Sequence, residues 1–125
     1  MRVIIHEDVD LTIDRIVGGD LVRKLRILKD LDDLVLDPEP PKGGWRWSSS
    51  RVGFLYEEGR QVRRLKLHAS LPKYRFFYHH DPTNEVVFVM AVVQRDRRTY
   101  APGAAHIQLI RERYDEYFER KLWLL

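Results

Sequence analysis

Val86-Val87-Phe88-Val89-Met90-Ala91-Val92-Val93 is a run of eight residues without a polar side chain. So short a run, rich in β-branched residues, reads as a strand, and apolar character on both faces places it at the centre of a sheet covered on both sides. The turn Asp81-Pro82-Thr83-Asn84 precedes it, and before that Lys73–His80 reads as its antiparallel partner. Further upstream, Arg51–Tyr56 and Arg60–His68 read as two more strands joined at Glu57-Glu58-Gly59. Lys42–Ser50, with Gly43-Gly44, Trp45, Trp47 and three serines, reads as a loop carrying two aromatic residues that either anchor it or meet a partner.

Helical periodicity fills the rest of the chain. Arg2–His6 suits an opening strand, and from Leu11 the spacing of Leu11, Ile13, Ile16 and Val17 predicts a helix broken at Gly18-Gly19. Asp20 is placed to cap a second helix with Leu21, Leu25, Leu28, Leu31 and Val35 on its inner face. Asp37-Pro38-Glu39-Pro40-Pro41 ends that element, because proline disfavours helix in the residue before it and lacks a backbone donor. Pro102-Gly103 opens a last helix carrying Ile107, Ile110, Tyr114, Tyr117 or Phe118, and Leu122 inward. The expected class is α+β, an antiparallel sheet packed against N-terminal helices and a C-terminal helix.

With 125 residues, this is the length of one domain spanning 1–125. The chain is 44% apolar and 33% charged, which suits a folded domain rather than a disordered one. It has no cysteine, so disulfides, thiol nucleophiles and cysteine zinc sites are excluded together, and a reducing, cytoplasmic setting is expected. The apolar runs are too short for a membrane-spanning helix, and the N-terminus lacks the long apolar stretch of a signal peptide. No membrane partner is therefore expected.

The net charge of +3 conceals an asymmetry. Residues 60–100 carry nine basic side chains against three acidic ones, whereas residues 1–59 carry nine against twelve. Such a basic middle section is either a solvated face or a surface for a polyanion. Strand alternation favours a shared face. Val62, Arg64, Lys66 and His68 lie on one side of their strand, Arg75, Phe77 and His79 on one side of the next, and Val87, Val89, Ala91, Val93 and Arg95 on one side of the apolar strand. With strands about 4.8 Å apart, Arg64, Lys66, Arg75 and Arg95 can converge on one patch, with Tyr100 following. Such a patch would grip phosphates and stabilise charge developing in phosphoryl transfer. Tyr74, Phe76 and Tyr78 on the opposite side read as core. Adjacent His79 and His80 face apart without an acidic cluster, so no metal site is expected. The glycine pairs lack the other positions of a phosphate-binding loop, and there is no serine-nucleophile motif.

Val62-Arg63-Arg64-Leu65-Lys66-Leu67, then Tyr74-Arg75-Phe76-Phe77-Tyr78, then Val86–Val93 with Arg95, and finally Tyr100 together resemble the core of the RelE/ParE superfamily of toxins from bacterial toxin–antitoxin pairs. For RelE-like members the resemblance implies a ribonuclease, needing neither metal nor other cofactor, that cuts messenger RNA in the ribosomal A site. The 2′-hydroxyl attacks the adjacent phosphate and leaves a 2′,3′-cyclic end. Carried onto this chain, Tyr100 takes the general base's place and Arg95 the general acid's, with Arg64, Lys66 and Arg75 stabilising the phosphate. A tyrosine can act as base where cations favour its phenolate. Arg63, His68, Lys73, Arg97 and Arg98 flank this set and are assigned to RNA contact. An antitoxin protein is the implied partner, covering the patch or replacing the C-terminal helix. Trp123, Leu124 and Leu125 at the tail either meet that partner or complete the core. ParE-like members poison gyrase without cutting RNA, and a non-catalytic RNA- or protein-binding module on the same fold is a further alternative.

Overall fold

A computed structural model describes residues 1–125. Its elements are β1 (Arg2–Ile5), α1 (Glu7–Val17), α2 (Leu21–Asp32), β2 (Trp47–Arg51), α3 (Gly53–Glu57), β3 (Arg63–Leu67), β4 (Leu71–Asp81), β5 (Val86–Gln94) and α4 (Ala105–Glu119). The five strands form one sheet in the order β1-β5-β4-β3-β2. The α+β expectation holds, but the sheet is mixed, since β1 runs parallel to β5. No helix is long and apolar enough to cross a membrane.

Both faces of the sheet are covered. Val9, Ile13, Ile27, Leu31 and Leu34 from the first two helices and the turn after them pack on Leu65, Phe76, Tyr78, Val87 and Val89. Ile107, Ile110, Tyr114 and Tyr117 of α4 pack on Phe77, Phe88, Met90 and Val62 from the other side. The long apolar run is thus a central strand, and its buried residues divide between two cores. Tyr74, Phe76 and Tyr78 do belong to a core, and the Tyr78 hydroxyl is satisfied by Pro38 O and Ser49 Oγ.

Several expected boundaries move for identifiable reasons. Helix α1 begins at Glu7 rather than Leu11, because His6 Nδ1 accepts from Asp8 N–H and three acidic residues occupy the first turn. Its end at Gly18 is as expected, with φ 58° in the left-handed region. Asp20 caps α2 by accepting from Arg23 N–H. Leu21 and Leu25 are exposed, however. The inward line of α2 starts with Lys24, which reaches Asp10 and Asp14 of α1, and continues through Ile27 and Leu31.

The expected hairpin over 51–56 and 60–68 does not form. Val52 and Leu55 are buried at a spacing of three, which suits the short helix α3, whereas a strand would have aligned Val52 with Phe54. The true partner of β3 is Trp47–Arg51, drawn from the stretch read as a loop. Its Ser48-Ser49-Ser50 centre hides the strand because the apolar alternation is missing.

The pairing of β4 with β5 contains one further departure. Phe77 opposes Ala91 and Tyr78 opposes Val89, so Met90 is an unpaired extra residue, a β-bulge. Strict alternation would have kept Val87, Val89, Ala91, Val93 and Arg95 on one face. Instead the bulge sends Val87 and Val89 to the α1–α2 side and Ala91 and Val93 to the α4 side. Arg113 of α4, itself buried, donates from Nη1 to the Met90 carbonyl at 2.6 Å and from Nη2 to Asp8. Replacing Arg113 by leucine would strand the Met90 carbonyl, so Arg113→Leu should lose about 1–3 kcal/mol of stability in urea unfolding. Exposed Arg120→Leu, the control, should stay within about 0.5 kcal/mol. Equal stabilities would show that the bulge needs no such support.

Candidate active site

The bulge decides where the basic side chains go. Beyond it, Arg95 emerges on the α4 side of the sheet, the side that Arg64 and Lys66 of β3 and Arg75 of β4 also face. These four cations and Tyr100 line one cavity of about 180 Å³. All five residues assigned to catalysis from the sequence thus meet in one place. Lys42 and Ser48, Ser49 and Ser50 complete the wall, and no carboxylate lines it. Sequence reading missed these four, the three serines because β2 was hidden. The serine run beside a basic strand was their signal.

Each side chain is held by its element. Arg64 Nε donates to Ser50 Oγ at 2.5 Å, across the β2–β3 pair. Arg75 Nη1 donates to the carbonyls of Pro72 and Tyr74, both at 2.9 Å. Tyr100 follows a bonded turn in which Thr99 Oγ1 accepts from Asp96 N–H at 2.7 Å, Asp96 Oδ1 accepts from Arg98 N–H, and the ring of His106 meets Thr99 O. The Arg64 guanidinium lies 4.8 Å from the centroid of the Tyr100 ring, and the Phe77 ring meets it in an edge arrangement with centroids 6.0 Å apart.

The electrostatics of the cavity are unbalanced. Several arginines elsewhere are neutralised: Arg46 by Asp30 and Asp33, Arg60 by Asp115, Arg111 by Glu58 and Arg113 by Asp8. Arg64, Lys66, Arg75 and Arg95 have only neutral partners or none. Burial pushes the Arg75 guanidinium below its ordinary value. The nearby Tyr100 oxygen pulls it back, and the like charges of Arg95 and Arg64 push it down again. That oxygen is buried beside the Arg75 guanidinium, which is close enough to act on it but makes no hydrogen bond of good geometry with it. An unsatisfied buried hydroxyl costs about 1–3 kcal/mol, which an incoming ligand would recover. An anion with acceptor oxygens suits both deficits.

The residues assigned to RNA contact divide. Lys73, Arg97 and Arg98 are exposed and outside the cavity lining, and Lys73 O receives the Arg95 N–H. Arg63 does not join them. It lies on the opposite side of β3, bonded to Ser49 Oγ and Glu39, because alternation turns it away from Arg64. His68 sits in the turn after β3 outside the cavity lining, its Nε2 buried without a partner. His79 and His80 face apart as expected. His79 meets Gln61 O and the rings of Tyr114 and Tyr117, and burial lowers its pKa, whereas His80 meets Glu39. No group of three or more histidine, aspartate or glutamate side chains is arranged to hold a metal ion.

Comparison of the chain with protein-family models, with curated proteins and with solved structures returns no match. The geometry makes its own prediction. Inorganic phosphate at millimolar concentration should raise the melting temperature of the wild type, and Arg75→Ala and Arg95→Ala should each abolish that rise. Arg95→Ala should cost under about 0.5 kcal/mol in the absence of phosphate. An undiminished phosphate effect in both variants would remove the cavity as an anion site.

Proposed function

We propose that this chain is a RelE-like endoribonuclease, the toxin of a toxin–antitoxin pair, acting in the cytoplasm on messenger RNA at the ribosome. The observation that carries the reading is the convergence of four cations without carboxylate partners on a buried tyrosine hydroxyl in a cavity of about 180 Å³. The cations alone would bind RNA, and a hydroxyl held among them adds a group that can take a proton. The resemblance of the surrounding strands to the RelE/ParE core supports the same chemistry.

In this reading a backbone phosphate occupies the cavity with Arg64, Lys66 and Arg75 around its oxygens. Tyr100 Oη, as the general base, takes the proton of the neighbouring 2′-hydroxyl, and the freed oxygen attacks phosphorus. The bond to the 5′-oxygen breaks, and that oxygen takes a proton from Arg95. One strand then ends in a 2′,3′-cyclic phosphate and the other in a 5′-hydroxyl. Negative charge grows on the phosphate oxygens during attack, so fixed cations stabilise the transition state more than the bound RNA. Arg75 suits this role best because its two backbone acceptors fix its orientation before substrate arrives. An antitoxin would silence the enzyme by neutralising or covering this face.

Tyr100→Phe should lower the cleavage rate by roughly 10²–10⁴ while RNA affinity stays close to that of the wild type. A matching fall in affinity would make the hydroxyl a binding group, and an unchanged rate would reject it as base. On induced expression, new RNA ends within translated codons are expected. DNA damage with intact messages would assign the chain to the gyrase-poisoning branch.

A further inference from the structure

We infer that Trp45 is a stacking platform for a nucleobase next to the phosphate held in the cavity, an inference that rests on the RNA reading above. Trp45 is 92% exposed, more than any other large apolar side chain of the protein, while Trp47 two residues later is 8% exposed. The segment holding Trp45 outward is fixed on both sides. Gly43 has φ 82°, and a side chain at Gly44 would place its Cβ 2.5 Å from the Trp47 carbonyl oxygen. Arg46 Nη2 donates to Asp30 and Asp33, each at 2.7 Å, and its guanidinium lies 4.4 Å from the centroid of the Trp47 ring. Trp47 itself is buried and registered opposite Leu67. Trp45 is therefore an aromatic ring left in water by a segment whose neighbours are pinned.

Its position in the chain ties it to the cavity. Lys42 and Ser48, three residues to either side, both line the cavity. Three peptide steps keep the Trp45 Cα within roughly 11 Å of each. Single-stranded nucleic acid is gripped by cations along its backbone and by aromatic faces under its bases, and this cavity supplies only the first. Eight of its nine lining residues are polar or charged, which disfavours an apolar protein surface as the occupant beside it. Stacking reads no hydrogen-bond pattern, so Trp45 should contribute affinity for every base.

The test uses a short 2′-O-methyl oligonucleotide, which lacks the attacking hydroxyl and so reports binding alone, beside a matched oligonucleotide without bases. Wild-type tryptophan fluorescence should be quenched by the first and little by the second. Trp45→Ala should bind the first roughly 5- to 150-fold more weakly, Trp45→Phe should keep most of the affinity, and neither change should affect the baseless probe. Wild-type affinity in Trp45→Ala, with binding lost in Arg75→Ala, would overturn the stacking role and leave the cavity reading standing. Equal losses for both probes would show that the ring acts only through the shape of its loop. Self-association of the wild type that disappears in Trp45→Ala, with oligonucleotide affinity kept, would assign the ring to contact between copies. Absence of oligonucleotide binding by the wild type would overturn the RNA reading and this inference with it.

Discussion

Strand β5 contains one residue more than β4 can pair, and Met90 is that residue. Because side chains alternate along a strand, one extra residue exchanges the faces of everything beyond it. The exchange divides the apolar run between two cores and carries Arg95 to the side where Arg64, Lys66 and Arg75 lie. The freed Met90 carbonyl would be costly if left unbonded, and Arg113 reaches it from α4 while bonding Asp8 of α1. One buried guanidinium thus joins the helices of both layers at the point where the sheet changes register.

The charges sort themselves by the same logic. Several arginines that join elements have carboxylate partners, among them Arg46 between the Trp47 strand and α2, and Arg60 between the α3–β3 connection and α4. Those of the cavity have no carboxylate: Arg64 is held by a serine, Arg75 by two carbonyls, and the Arg95 side chain by no hydrogen bond. Their charge is oriented but not cancelled. Several unneutralised cations held beside a buried phenol are stable only because the surrounding sheet is well packed, and they are poised for an anion.

Much of this was legible in the chain. The central strand, the β4–β5 turn and the Gly18 and Asp20 helix boundaries follow from local patterns, because apolar runs, caps and turn residues act over a few positions. What failed was decided over longer distances. The parallel placement of β1 needs the whole chain to be seen together. Strand β2 carries serines where apolar alternation would mark it, since one of its faces is cavity wall. The inner face of α2 begins at Lys24, a cation that only its partners on α1 make an inward residue. Simple alternation predicted Arg64 and Arg95 together, but it did so by placing Val87 and Val89 on their side as well. The bulge that corrects this has no sequence mark, because Met90 is as apolar as its neighbours.

The most direct measurement of the central claim is the chemistry of the ends that the purified protein leaves on RNA, read on translating ribosomes in the presence of a metal chelator. A cavity of cations around Tyr100 that activates the 2′-hydroxyl predicts a 2′,3′-cyclic phosphate on one fragment and a 5′-hydroxyl on the other, undiminished by the chelator. Intact RNA, or fragments bearing a 5′-phosphate, would contradict it.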